Sequence, residues 1–224
     1  MPDPHPDPAS QTLSTGEQAR PALTEALGGK RGLLDSGLPA AVFVSVNAVV
    51  TAFSDARTGL RAAIVAAVLV GLVVVLVRLR RRETVQQAIG GFLGLAVAAV
   101  FAARSGEARD FFLPGILFNL AYSAAFVVSA LLGRPLVGYV YAAVGGLDGG
   151  WRGDQALRRA MAVASIGWAA VFALRAVVQG ALYLADRPGL LAAARLLMGW
   201  PVTIAAVALT VAFVRSRRRR LEPG

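Results

Sequence analysis

Long apolar runs separated by short polar segments make up most of the chain from residue 38 onward. Each of these runs is close to the roughly 20 apolar residues that a helix needs to cross the hydrocarbon core of a bilayer. They are residues 38–54, 59–77, 84–103, 111–132, 160–184 and 196–214. The runs lack the alternation of apolar and polar residues that is typical of strands. The pattern therefore predicts an all-α integral membrane protein with six transmembrane helices.

One further apolar segment, PLVGYVYAAVGGL at residues 135–147, lies between the fourth and fifth runs. Its length is more typical of a short re-entrant or interfacial segment than of a span. If this segment does not cross, both termini face the same side, and most of the 23 basic residues lie on that side. Because basic residues concentrate in cytoplasmic loops, we expect both termini to be cytoplasmic.

The polar ends of the chain complete the predicted organisation. Residues 1–20 are rich in proline and polar residues, which predicts a disordered leader. Residues 21–37 predict a short cytoplasmic helix and a linker, because Pro21 fits a first helical position. The six-helix membrane domain then covers residues 38–214, and a basic cytoplasmic tail covers residues 215–224.

Composition and charge agree with a membrane protein and narrow its chemistry. Hydrophobic residues make up 56% of the chain, and the net charge is +10. The basic residues cluster beside apolar runs, as in RLRRR at 78–82 and RSRRRR at 215–220. Anionic lipid headgroups are therefore the expected partner, and nucleic acid is not. Cysteine is absent and the one histidine, His5, lies in the leader, so we expect no metal site and no cofactor.

One charged residue, Arg175, lies inside an apolar run rather than beside it. A charge at the centre of a bilayer costs about 2.5–3.5 kcal/mol on insertion scales, and such residues almost always face the interior of a bundle. Gln179 follows one helical turn later on the same face. Counted at the helix rise per residue, Asn47 and Asn119 fall at a similar depth. We therefore predict a polar intramembrane cluster of Arg175, Gln179, Asn119 and Asn47, which is a candidate anion site.

Two roles for Arg175 stay open at this stage. In the first, the protein itself satisfies the guanidinium, which snorkels outward, hydrogen-bonds to asparagines and carbonyls, or pairs with Asp110 or Asp186 as charge partners. In the second, the cluster binds an anion or a lipid phosphate. The third run also carries Gly90 and Gly94 in a GxxxG spacing, which favours close approach of an internal helix or of a second copy of the chain.

Three segments carry a resemblance to a known family: LGGKRGLLDSGLP at 27–39, FFLPGILFNLAYSAAFVVSALLGRPLVGYVY at 111–141 and WAAVFALRAVVQGALYLAD at 168–186. Together with the spacing of the runs, they resemble an actinobacterial family of multi-pass membrane proteins that is classed as a domain of unknown function. The layout is similar, more loosely, to the intracellular septation protein A family of inner-membrane proteins. These resemblances imply a location and an architecture, and neither family brings a catalytic residue.

The function classes follow from these observations. Acyl, glycosyl or phosphoryl transfer needs a nucleophile, a base or a metal site. The apolar runs contain no such set of residues, so no catalytic residue is predicted. We expect a non-enzymatic, multi-pass protein of the bacterial cytoplasmic (inner) membrane, with a role in envelope assembly or as a scaffold, alone or with membrane-protein partners. The alternative is a small transporter, channel or lipid-handling protein that binds an anionic group at Arg175.

Overall fold

The computed structural model describes residues 29–81, 85–143 and 149–221. Over these residues the chain forms eight α-helices and two short 3-10 turns, and no strand. The helices are α1 (Gly29–Phe53), α2 (Ala56–Arg80), α3 (Val85–Ser105), α4 (Leu113–Leu131), α5 (Leu136–Ala143), α6 (Gln155–Leu184), α7 (Pro188–Met198) and α8 (Trp200–Leu221), and the turns are Ala108–Phe111 and Gly149–Arg152. The all-α prediction is confirmed. The leader and the helix predicted within residues 21–37 lie largely outside the described residues.

Four helical stretches in the described residues are long and apolar enough to cross a membrane. They are Ala56–Arg80, Leu113–Leu131, Gln155–Leu184 and Pro188–Arg217, the last of which combines α7 with most of α8. Two shorter apolar stretches, Gly37–Phe53 and Ile89–Ser105, lie in α1 and α3. This is the architecture of a multi-pass membrane protein.

The first three helices form one packing unit. The α1–α2 hairpin turns at Asp55, whose carboxylate accepts a hydrogen bond from the Thr58 N–H at 3.0 Å and so caps α2. Hydrogen bonds from Thr58 lower the pKa of this carboxyl. Helix α2 then packs on α3, where Gly71 lies directly against the Leu95 side chain. Small residues at such contacts let membrane helices approach closely.

The remaining long helices form a second packing unit around α6. Helix α4 packs along α6, and α5, α7 and α8 also contact α6. Helix α6 begins after Asp154, whose carboxylate caps the N–H groups of Ala156 and Leu157. Two buried clusters result. One joins α1, α2, α3 and α7 around stacked Phe43 and Phe111, and the other joins α5, α6 and α8 around Met161.

The predicted limits of the sixth run are wrong. The sequence places residues 185–195 in a loop and starts the span at residue 196, whereas the structure starts helix at Pro188 and breaks it at Gly199. Arg195 interrupts the apolar pattern and so moves the predicted start of the span past it. The intervening GLLAAAR stretch nevertheless has high helix propensity, and Pro188 fits the first helical turn. The fifth run also begins earlier than predicted, at Gln155.

Candidate functional site

A break in the last apolar stretch organises the polar interior. Gly199 ends α7 with φ −67° and ψ −102°, and α8 begins at the next residue. A Cβ on Gly199 would lie 2.7 Å from the carbonyl oxygen of Arg195, so only glycine fits this close backbone approach. Pro201 lacks the N–H that would continue the hydrogen-bond ladder of α7. The sequence MGWP at 198–201 thus encodes the break, and the break leaves carbonyl groups that need donors.

Arg175 supplies one of these donors from α6. Its Nη2 donates hydrogen bonds to the carbonyl oxygen of Gly199 and to Oγ1 of Thr203, each at 2.8 Å. The Thr203 hydroxyl in turn donates to the same Gly199 carbonyl at 2.7 Å, and the Thr203 N–H donates to it at 3.1 Å. The guanidinium therefore lies at the carboxyl end of α7, where the helix dipole favours a positive charge.

The Arg175 side chain is buried and also contacts an aromatic ring of its own helix. The residue is 9% exposed, and its Cζ lies 5.6 Å from the centroid of the Phe172 ring. Phe172 also contacts the rings of Phe126 and Tyr122 on α4, at 5.7 and 5.4 Å between centroids. Nε of Arg175 is buried and has no hydrogen-bond partner among the described residues, so they satisfy the guanidinium only in part. The cation–π contact with Phe172 offsets a part of the free-energy cost of burying this charged group.

The other three residues of the predicted cluster, Gln179, Asn119 and Asn47, differ in whether they lie beside Arg175. Gln179 lies on the same buried face of α6 as Arg175 and is 4% exposed. Asn119 donates to the Gly115 carbonyl of its own helix at 2.9 Å. Asn47 lies half-buried on α1, which packs chiefly on α2. Among the described residues, neither asparagine hydrogen-bonds to Arg175, so the structure brings together Arg175 and Gln179 only.

The two candidate charge partners lie away from Arg175. Asp110 accepts a hydrogen bond from the Tyr183 hydroxyl at 2.5 Å, and Arg109 lies over the Tyr183 ring at 5.2 Å from its centroid. Arg109 also pairs with Glu107 at 2.5 Å. Asp186 lies in the turn after α6 with φ 51°. Among the described residues, Arg175 thus bonds to a carbonyl and a hydroxyl and not to a carboxylate, which matches the alternative of hydrogen bonds within the protein rather than that of an ion pair.

Further polar links tie α6 to its neighbours, and the sequence gives little sign of them. Trp168 donates its indole N–H to Oγ1 of Thr210 on α8 at 3.0 Å. The fully buried Ser165 hydroxyl accepts from the N–H of Val137 at the start of α5, at 3.2 Å. Ser123 on α4 donates to the Ala169 carbonyl at 3.0 Å. Hydroxyl groups in apolar helices have no periodic signature, so only a structure reveals their partners.

A second arginine, Arg195, lies inside the last apolar stretch and was assigned to an outer loop by the sequence. It borders a cavity of about 280 Å³ between α1, α2, α3 and α7. Its Nη1 lies 3.4 Å from where a Cβ on Gly115 would stand, so the guanidinium packs against the backbone of α4. The high helix propensity of residues 190–198, LLAAARLLM, is the signal that could have located it.

The described residues contain no group of three or more His, Cys, Asp or Glu side chains that could hold a metal ion. What they contain is a bundle of apolar helices joined by buried hydrogen bonds, with two arginines in or beside its interior. These features define a multi-pass α-helical membrane protein with a polar interior.

The chain belongs to the family described as protein of unknown function (DUF3159), whose model matches residues 27–221. No curated protein and no solved structure matches it. The family match covers the helices and the site described above.

Proposed function

We propose that this chain is a non-enzymatic, multi-pass protein of the bacterial inner membrane that serves as a structural or assembly partner in the cell envelope. The observation that carries the proposal is the bonding of Arg175. The buried charge, where a binding function would be sought first, donates to Gly199 and Thr203 of the protein's own α7–α8 break. Its primary role is to join the last span to α6.

The proposed topology has six spans with both termini in the cytoplasm. The four long apolar stretches and the shorter stretches in α1 and α3 supply the six. Helix α5 is the short re-entrant or interfacial segment, in keeping with its eight residues. In this arrangement the basic ends of α2 and α8, with Arg80 and Arg217, face the cytoplasm and contact anionic lipid headgroups.

The resemblance stated from the sequence supports the location and the role. An actinobacterial origin and the looser likeness to the intracellular septation protein A family both favour an inner-membrane protein. Membrane-protein partners or a homo-oligomer follow from a scaffold role. Lipid-facing apolar residues such as Leu120 and Val177, which are 58% and 68% exposed, provide surface for such contacts.

Photo-crosslinking in living cells tests the scaffold role. A photoreactive amino acid is placed at Leu120, Val177 or Leu184, in the wild-type chain and in Arg175→Gln. A scaffold gives a discrete protein adduct from at least one of these positions, and Arg175→Gln retains it. Only lipid adducts at all three positions would count against the proposal.

A second candidate function rests on the unpartnered Nε of Arg175. A small transporter, channel or lipid-handling protein would use this donor to bind an anionic group. Anion flux into vesicles that contain the purified protein distinguishes the two candidates. A transporter gives flux that Arg175→Gln abolishes while the protein stays folded, whereas the structural role gives no flux above that of empty vesicles.

A further inference from the structure

A cavity of about 280 Å³ lies between α1, α2, α3 and α7. Arg175 is not among its lining residues. The cavity volume is just below the range for ligand sites, about 300–1,000 Å³, which suits a headgroup and not a whole lipid. Apolar residues such as Leu95 and Phe111 form part of its wall. Two arginines, Arg78 and Arg195, also line it, and none of the described residues that line it is acidic. Arg195 therefore brings a positive charge to the cavity wall.

Arg195 is the residue that most needs a ligand. It lies in the apolar stretch Pro188–Arg217, and no hydrogen bond or ion pair joins its side chain to any described residue. Its side chain is exposed. An arginine in a membrane span is costly unless it has a partner of opposite charge or a set of acceptors. An anion in the cavity would provide both.

Three glycines form part of the cavity wall. Gly90, Gly91 and Gly94 of α3 line it, and a Cβ at any of the three would meet nothing within 4 Å. The GxxxG spacing predicted to hold a helix neighbour therefore faces open space within the described part of the chain. The lack of side chains at these three positions keeps this part of the cavity open.

We propose that this cavity binds a phosphate group, with Arg195 as the principal binding residue. A guanidinium matches phosphate because its planar set of N–H donors can form two parallel hydrogen bonds to phosphate oxygens. The group belongs to an anionic phospholipid headgroup or to free inorganic phosphate. The site lies apart from Arg175 and does not depend on the structural role proposed for that residue.

Two variants with matched controls test the site in the full-length protein purified in a mild detergent. Arg195→Gln removes the charge, and Arg104→Gln removes an exposed charge at the end of α3 as its control. Gly94→Leu fills the cavity without changing charge. Gly167→Leu is its control, because a Cβ on Gly167 also meets nothing within 4 Å and Gly167 does not line the cavity. Melting temperatures establish that each variant is folded.

Native mass spectrometry then measures retained phosphatidylglycerol against phosphatidylcholine, and a parallel binding assay uses inorganic phosphate alone. We expect Arg195→Gln and Gly94→Leu each to weaken binding about tenfold or more, which is about 1.4 kcal/mol, while both controls bind as the wild type does. Loss in the phosphatidylglycerol arm identifies a lipid headgroup, and loss in the phosphate arm alone identifies the free anion. Equal binding by the wild type and both folded cavity variants in both arms would overturn the proposal.

Discussion

At the scale of single residues, Arg175 is a charge held by neutral acceptors. Its Nη2 is shared between the Gly199 carbonyl and the Thr203 hydroxyl, and its ring contact is with Phe172. Hydrogen bonds between membrane helices contribute about 0.6 kcal/mol on average and up to about 1.7 kcal/mol. The Gly199 carbonyl keeps two further donors, both from Thr203, when Arg175 is removed. The fold should therefore survive the loss of the charge.

Substitutions of different charge at position 175 separate the effect of the arginine's charge on stability from the effect of its packing. Arg175→Gln should lower the free energy of unfolding by about 1–2 kcal/mol, because it loses a charge-assisted pair of bonds. Arg175→Glu should be much worse, because it places a carboxylate against carbonyl oxygens at the negative end of α7. Unfolding by denaturant in detergent measures both, with Arg104→Gln as an exposed control. Equal stability of the Gln and Glu variants would show that the charge is not held as described.

At the scale of the helix, the break at Gly199 determines where α7 ends. Gly199→Ala should destabilise the protein by about 1–3 kcal/mol, because its Cβ would lie too close to the Arg195 carbonyl oxygen. Gly180→Ala, also in a helix of this unit, has open space at its Cβ and serves as the control. Thermal melting in detergent compares the two. A melting temperature for Gly199→Ala at or above that of the control would contradict a break that requires glycine.

Helix α5 is held at its first turn by hydroxyl groups of the neighbouring spans. Ser129 and Ser165 accept from the N–H groups of Leu136 and Val137, each at 3.2 Å. Ser165→Ala should therefore loosen α5, with faster hydrogen exchange over residues 136–143 and little change in α7. A Ser123→Ala variant, which breaks a link between α4 and α6 only, is the control. Unchanged exchange in α5 would mean that the serine does not hold it.

The sequence predicted much of the helical pattern but little of what joins the helices. Apolar runs reveal spans because the bilayer requires them, and they located α2, α4 and α6 within a few residues. The break at Gly199 escaped prediction, since glycine and proline also occur within intact membrane helices. Arg175 and Gln179 were placed on one face because they share a helix. The sequence could not place Asn47 relative to Arg175, because depth counted along separate spans does not show which helices are neighbours.

At the scale of the whole molecule, the proposed topology can be tested on a chain that contains no cysteine. Ser54 lies in the turn between α1 and α2, and Ser216 lies near the end of α8, and both are exposed. With both termini in the cytoplasm, a membrane-impermeant maleimide should label Ser54→Cys in intact cells. It should label Ser216→Cys only after the cells are permeabilised. The reverse pattern would contradict the orientation, and labelling of both in intact cells would contradict the number of spans.

The two packing units of the molecule meet where α7 packs on α1 and where α4 packs on α3. The bond network at Gly199, which joins α6 to α7 and α8, is the central claim. A double-mutant cycle of Arg175→Gln and Thr203→Val measures it most directly, with Thr203→Ser as a control that keeps the hydroxyl. We predict that the two single losses in free energy of unfolding exceed the loss in the double variant by about 1 kcal/mol, because they remove the same bonds. Losses that add to within about 0.3 kcal/mol would show that Arg175 and Thr203 act independently and would contradict the account.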